Sequence, residues 1–418
     1  MALSSLSRHS TPCDRSMTPH LHVRQGNPSF LDLDWDRPIS GWEEPRLVEM
    51  PTGVHRHPIV FVSYEEGVYA IKELPVRYAQ REFDALHALS KRTVNSARPA
   101  GLVKREWLDP HSEASGAVIT RYVTHAFPYR ELVSGSGFGH RRSQVLDALA
   151  GLLVELHLAG CYWGDCSLSN ALYRYDAGAI EAIMIDAETA ELHESLSDGQ
   201  REQDLEVMIE NLAGDMGDLA GEIENADLVF GLDVAARYRQ LWDELSEDLV
   251  IRASEGYLIR ERIARLNDLG FSVDDVDLTP TEKGNLVRVK ARVGGRAFHS
   301  DRLRELVGVE ASENQARQML SDINYYLGKH GDDTASGKVV RMVEWRLGVL
   351  EPMIERIAEV WHGDDPVQGY CDFLNHRMAL ASARGADVPN DEAFADWGEH
   401  GYPGFEPGRP PQGFSEGG

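Results

Sequence analysis

Cysteine is scarce: Cys13, Cys161, Cys166 and Cys371 are the only four in 418 residues, and none forms a CxxC or CxxH pair. That spacing argues against a disulfide framework or a structural zinc site and fits a reducing, cytoplasmic setting. Long apolar runs are also missing. The best one, Val145 to Gly160, is broken by Asp147, Glu155 and His157, whereas a membrane-spanning helix needs about 20 nearly uncharged residues. The first thirty residues lack the apolar core of a secretory signal. Positive charge is in deficit, with 42 Lys and Arg against 68 Asp and Glu and a net charge of −26. Phosphate attraction needs clustered cations, so nucleic acid and anionic lipid are poor partners. No internal repeat is visible.

What is present changes character along the chain. Residues 1–38, rich in Ser, His, Pro and Asn, read as a flexible arm, and 396–418, ending in "YPGFEPGRPPQGFSEGG", as a disordered tail. Between them comes a strand-rich block: "RLVEM", "IVFVSY", "VYAIKEL", "GLVKREWL" and "GAVITRYV" are β-branched and aromatic stretches bounded by turn residues. One short helix, "RYAQREFDALHALS", interrupts it. From Arg141 the pattern becomes helical, with Val145, Leu149, Leu152, Leu153 and Leu156 forming a core-facing stripe and Gly160 a stop. The strands "ALYRY" and "IEAIMID" then flank a turn at Asp176 to Gly178, and a helix follows over about 200–220.

Beyond residue 256 the strand "LVRVKARV" alternates Val287, Val289, Ala291 and Val293 with Arg288, Lys290 and Arg292, and three helices are predicted near 311–328, 338–361 and 366–384. The stretch from Glu181 to Asp233 holds 16 acidic residues against Arg201 alone. It is a solvated face or a dock for the cationic strand.

The chemistry-bearing residues stand in an informative order. Lys72 lies on a strand, Glu82 on the following helix, Asp165 and Asn170 in the loop "GDCSLSN", and Asp186 at the end of a hairpin. Any one of these is weak, because a D-x-x-x-x-N spacing arises by chance roughly once per several hundred positions. Together they suit phosphoryl transfer from ATP. An ammonium on a rigid strand pins phosphates and a helix glutamate holds it. Mg²⁺ takes hard oxygen ligands, which an amide and a carboxylate supply, and a second carboxylate can take the proton of an acceptor hydroxyl. Glu73 and Asp84 are competing carboxylates for Lys72. Asp204 in "REQDLEV" either reaches back to the loop or is a solvated helix carboxylate, and His157 reads as a core histidine.

"VYAIK", "HLAGCYWGDCSLSN" and "IMIDAE" resemble the strand lysine, catalytic loop and metal-binding aspartate of the protein-kinase-like superfamily, in a form closest to the lipopolysaccharide core and small-molecule kinases. The resemblance covers about residues 40–255. "ENQAR" and "FLNHRMALA" are similar to an uncharacterised bacterial family that joins such a part to a domain of unknown function. The resemblance implies an α+β, bilobal fold, with a β-rich N-lobe over 39–125, a helical C-lobe over 126–255, and a mainly helical domain with a small β element over 256–395.

It also implies roles: Asp165 as catalytic base, Lys72 and Glu82 for nucleotide binding, Asn170 and Asp186 for metal, with ATP and Mg²⁺ as cofactors. The implied acceptor is a sugar or glycolipid-like hydroxyl. Departures bear on the expectation. Ser167 stands where protein kinases carry a lysine, Ala187 replaces the aromatic of Asp-Phe-Gly, and no GxGxxG precedes Lys72. "PTGVHRHP", with Gly53, Arg56 and His57, is expected to cover the phosphates instead. The lack of an Ala-Pro-Glu segment argues against peptide acceptors. These departures leave a rival reading, a catalytically silent nucleotide-binding module that signals to a protein partner through the C-terminal domain.

Overall fold

The computed structural model describes residues 19–50, 56–105, 115–133, 137–220, 227–281, 286–330, 334–363 and 365–404. The chain divides into two compact units, Met1–Asp84 with Arg98–Tyr122, and Ala85–Ala97 with Val123–Gly418.

The first unit is a six-stranded antiparallel sheet. Its strands are β1 (His20–Val23), β2 (Leu47–Val48), β3 (Ile59–Tyr64), β4 (Gly67–Pro75), β5 (Pro99–Lys104) and β6 (Ser115–Arg121), in the order β1-β5-β6-β4-β3-β2. Helix α1 (Val76–Lys91) follows β4. Alternation along β4 sends Tyr69 and Ile71 into a core with Phe30, Trp35, Val62 and Ile119, and turns Lys72 and Leu74 to the other face. There Leu74, Leu102 and Val118 meet Ala79 and Phe83 of α1. The helix approaches so closely that a Cβ on Gly116 would lie 2.8 Å from the Cβ of Ala79, so only glycine fits at that point of β6.

The flexible arm expected over residues 1–38 is corrected for 19–38. β1 pairs with β5 in register from His20 opposite Lys104 to Val23 opposite Gly101, Phe30 is fully buried, and the Trp35 indole donates to the Phe30 carbonyl at 2.7 Å. Average composition concealed three apolar anchors, Phe30, Leu33 and Trp35, whose burial outweighs the polar residues between them. The rest of that arm, 1–18, lies outside the described residues.

The second unit carries β7 (Phe127–Pro128), α2 (Arg142–Leu158), β8 (Cys161–Tyr162), β9 (Ala171–Asp176), β10 (Ala179–Met184), β11 (Glu191–Leu192), α3 (Asp198–Leu219) and α4 (Phe230–Ser246). After them come β12 (Leu249–Arg252), α5 (Tyr257–Asp268), β13 (Val273–Pro280), β14 (Leu286–Val293), α6 (Phe298–Val307), α7 (Glu313–His330), α8 (Ala335–Trp345), α9 (Glu351–Val360), α10 (Pro366–Arg384) and α11 (Asn390–Glu399). α2 is buried on nearly every side, at about 1.5–3 kcal/mol for each fully buried leucine. α3 opens with a capping box between Ser197 and Gln200, which satisfies two otherwise orphaned N–H groups.

Two apolar cores divide this unit. One gathers α2, α3, α4, Leu266 and Phe271; the other gathers Leu303, Met319, Trp345, Tyr370, Phe373 and Trp397. The expected boundary at 256 therefore falls inside the first core, and the change of core comes between Val293 and Leu303. The expected tail at 396–418 also begins too early, since Trp397 on α11 is fully buried. The predicted helix over 338–361 is present as one continuous helical run, α8 and α9 being its two α-helical ends on either side of a π-helical stretch at Arg346–Leu350. Among the described residues the ion pairs of the β14 cations are with carboxylates outside 181–233. Arg292 lies 3.7 Å from Asp275 and 3.9 Å from Asp277 of neighbouring β13, and Arg288 lies 3.9 Å from Asp248.

The β-rich N-terminal region and helical C-terminal part expected from the sequence are both present. Among the described residues no helix is long and apolar enough to cross a membrane, and Cys161, Cys166 and Cys371 are buried free thiols.

Candidate active site

In the first unit Lys72 sits mid-strand, opposite Ile59 of β3 and Val118 of β6, so its backbone is held on both sides. Its Nζ meets Glu82 Oε2 at 3.1 Å, with side chains 12% and 2% exposed. The competing carboxylates are engaged elsewhere. Glu73 takes the Ile39 N–H at 2.7 Å and the Arg105 guanidinium at 2.9 Å, and Asp84 takes the Gln80 amide at 2.9 Å. Arg56 is exposed and His57 half-buried, whereas residues 51–55, including Gly53, lie outside the described residues.

In the second unit the loop bearing Asp165 is built from α2 outward. Gly160 turns at φ +71, where a Cβ would stand 2.3 Å from the His193 carbonyl. β8 then pairs with β11, and a second left-handed turn at Gly164, φ +75, presents Asp165. α3 clasps this loop with one polar face. Asp204 accepts the N–H groups of Trp163 and Gly164 at 2.7 and 2.8 Å, Asn211 donates to Asp165 Oδ1 at 2.9 Å and to the Cys166 carbonyl at 3.3 Å, and Asp215 accepts the Leu168 N–H at 2.8 Å. Positions 204, 211 and 215 recur at i, i+7 and i+11, on one side of a helix.

His157 supports the same anchor. Its Nε2 lies 3.0 Å from Asp204 and its Nδ1 2.7 Å from the Tyr238 hydroxyl. Burial depresses its pKa, which fits a neutral ring donating from Nε2 to Asp204 and accepting from Tyr238. Asp204 thus takes the reach-back role, and His157 is a satisfied core histidine.

Asp165 and Asn170 are brought together: the Asn170 amide donates to the Asp165 carbonyl at 2.8 Å and to its Oδ2 at 3.0 Å. Burial pushes the Asp165 carboxyl above its ordinary range; the hydrogen bond from Asn170 opposes this, and the charge of Asp186 adds to it. Asp186 lies two residues beyond the end of β10, just after Ile185, whose N–H donates to the Asn170 carbonyl at 3.1 Å. Its backbone carbonyl accepts from the Trp163 indole at 3.0 Å, and its Oδ1 from the Glu188 N–H at 3.1 Å. Committing the Asn170 NH₂ to Asp165 leaves Oδ1 as its ligand-competent atom. With the Asp186 carboxylate it makes a hard, all-oxygen pair at one end of the hairpin, the donor chemistry that suits Mg²⁺ and not a thiophilic ion. Ser167 is engaged in the loop itself, 3.1 Å from the Ser169 hydroxyl and accepting the Asn170 N–H at 3.3 Å.

Asn211 and Asp215 were not anticipated. Their signal was available in the polar i, i+7, i+11 face, but the apolar stripe of Leu205, Met208, Leu212 and Met216 dominates the helix.

Residues 66–227 match the lipopolysaccharide kinase (Kdo/WaaP) family. The match starts just before Lys72 and ends after α3, so it takes in every residue of both clusters. It supports a kinase. Residues 240–401 match DUF4032, a domain of unknown function. A solved structure described as "WaaP in complex with acyl carrier protein" matches at 16% identity and TM-score 0.33, over 54% of this chain and 88% of that one. No curated protein matches the chain by sequence.

Proposed function

We propose that this chain transfers the γ-phosphoryl group of Mg-ATP to a hydroxyl of a non-protein, sugar-like or glycolipid-like acceptor. Lys72, held by Glu82, would bind phosphate oxygens; Asn170 Oδ1 and the Asp186 carboxylate would hold Mg²⁺; Asp165 would orient the acceptor hydroxyl and take its proton. The metal, when bound, supplies neutralisation of phosphate charge. Asp165 is fixed for that task by amide donors on both carboxylate oxygens and remains exposed, so a hydroxyl can reach it. The acceptor class follows the family match of residues 66–227.

The observation that carries the reading is the joint placement of Asp165, Asn170 and Asp186 at one end of the β9–β10 hairpin, with the base clamped from α3 by Asn211. A turn-capping aspartate would need neither Asn211 nor the second carboxylate beside it. The test follows labelled γ-phosphate from ATP to sugar and lipid-linked sugar acceptors, in wild type and Asp165→Asn. General-base loss costs about 10²–10⁴ in rate, so transfer falls at least a hundredfold while nucleotide affinity stays. Equal transfer by the variant refutes the assignment of the base. Tight nucleotide binding by the wild type without turnover on any acceptor supports the silent module instead.

A further inference from the structure

The C-terminal region holds a second group of ligand-type side chains, remote in sequence from the kinase-like cluster and not used by it. His376 lies on α10, Asp396 lies on α11, and His400 caps the C-terminus of α11 four residues after Asp396, one helical turn on. One donor atom of each stands within 4.8 Å of the other two. His376 Nε2 is 2.7 Å from Asp396 Oδ2, and His400 Nδ1 is 3.4 Å from the same oxygen and 2.7 Å from the Asp396 backbone carbonyl. The two imidazole centres are 5.7 Å apart. Two histidines on one tetrahedral ion, with metal–nitrogen bonds of about 2.0–2.1 Å, place their ring centres roughly 5 Å apart, so a small inward movement closes the set.

We propose that His376, Asp396 and His400 form a three-ligand site for a divalent transition-metal ion of the Zn²⁺ type. The donor set decides the class. Two nitrogens and one carboxylate suit Zn²⁺ and its borderline neighbours, whereas Mg²⁺ and Ca²⁺ take oxygen almost exclusively. The surroundings suit an ion that enters from solvent and keeps a water. The His376 side chain is only 4% exposed and is held by the packed helix, whereas those of Asp396 and His400 are 22% and 31% exposed. The scaffold is rigid on the inner side, where Phe373 of α10 meets Phe394 and Trp397 of α11. Such an ion would clip α10 to α11 and leave a coordination position facing outward. Without one, the same atoms can satisfy each other by hydrogen bonds alone, and the experiment separates the two.

The full-length chain, stripped with a chelator, is titrated with Zn²⁺ by calorimetry, with bound metal counted after gel filtration. The proposal expects one tight Zn²⁺ per wild-type chain, at least tenfold weaker binding in His376→Ala and His400→Ala, and unchanged binding in Asp186→Asn, which removes an oxygen from the other cluster. His400 is partly exposed, so its variant keeps the fold even if His376→Ala does not, and circular dichroism checks both. A wild type that binds no Zn²⁺, a His400→Ala chain that binds it as tightly as wild type, or binding abolished by Asp186→Asn each overturns the proposal.

Discussion

Asp204→Ala is the sharpest perturbation of the loop that carries Asp165. The Asp204 carboxylate is fully buried and receives the Trp163 and Gly164 N–H groups at 2.7 and 2.8 Å, with His157 Nε2 at 3.0 Å. Truncation strands three donors at once, the Trp163 N–H and the His157 ring fully buried and the Gly164 N–H partly so. Each stranded donor costs about 1–3 kcal/mol, so the loss over three donors is set at about 4 kcal/mol. For a large domain that moves Tm down by roughly 5–10 °C. The same substitution releases the two residues before the proposed base, and a displacement near 1 Å at a reacting group costs about a hundredfold in rate. Thermal unfolding and phosphoryl transfer are read on the same protein. Asp204→Asn should fall between wild type and alanine, because its amide oxygen serves one backbone donor while its NH₂ confronts the other. An alanine variant that melts within 1 °C of wild type and transfers phosphate at the wild-type rate would falsify the anchor.

Glu82→Ala removes the carboxylate that meets the Lys72 ammonium at 3.1 Å, so it should destabilise the first unit by about 3–5 kcal/mol and weaken nucleotide binding more than tenfold; denaturant unfolding and nucleotide titration check this, and unchanged values in both would remove the pair from the site. Glu155 gives a pH signature: burial pushes its carboxyl up to about 8, and Oε2 has no hydrogen-bond partner among the described residues. Because the folded pKa lies above the ordinary 4.5, the native state binds the proton more tightly. Its contribution is full below pH 4.5 and is lost as pH rises toward 8, a span worth on the order of 5 kcal/mol. Glu155→Gln should flatten the fall in unfolding midpoint between pH 5.5 and 8.5, and an identical slope in the variant would count against a proton held there.

Local periodicity made the strands from Ile59 to Pro75, the apolar α2 and the β9–β10 hairpin legible, because each signal lies within a few residues. The order of Asp165, Asn170 and Asp186 along the chain, before and after the β9–β10 hairpin, was likewise legible, while their roles are proposals. Partner choice was not: that Lys72 selects Glu82 depends on α1 packing over Leu74 and Val118, while Glu73 is diverted to Arg105. The acidic strand β13 escaped notice because "VDDVDLTP" breaks alternation, and its register shifts between Val273 and Asp275. Its aspartates face the β14 cations, which stay largely exposed, as a solvated outer face requires, with Arg288 and Arg292 side chains 59% and 64% accessible.

The hairpin also ties together the parts of the two matched segments that share the second unit. Its tip is a tight two-residue turn, with Ala177 at φ 48 and Gly178 at φ 87, the conformation that suits a right-twisted hairpin. Asp176 at the base of that turn is fully buried. It accepts the Asn314 and Gln315 N–H groups at 3.0 and 2.7 Å and the Asn314 amide at 2.9 Å, so it caps the start of α7, where negative charge is favoured. Gln368 of α10 takes the Ala177 N–H at 2.9 Å. Burial pushes the Asp176 carboxyl up to about 6 even with these donors; without α7 it would be an unpaired carboxylate in a turn. One end of a six-pair ladder therefore carries Asn170 and Asp186, and the other, roughly 17 Å away by strand rise, is held by helices of the DUF4032 region. A rigid antiparallel ladder transmits register from end to end, so whatever shifts α7 against the turn must either break the Asp176 cap or move the strands that position the two proposed metal ligands.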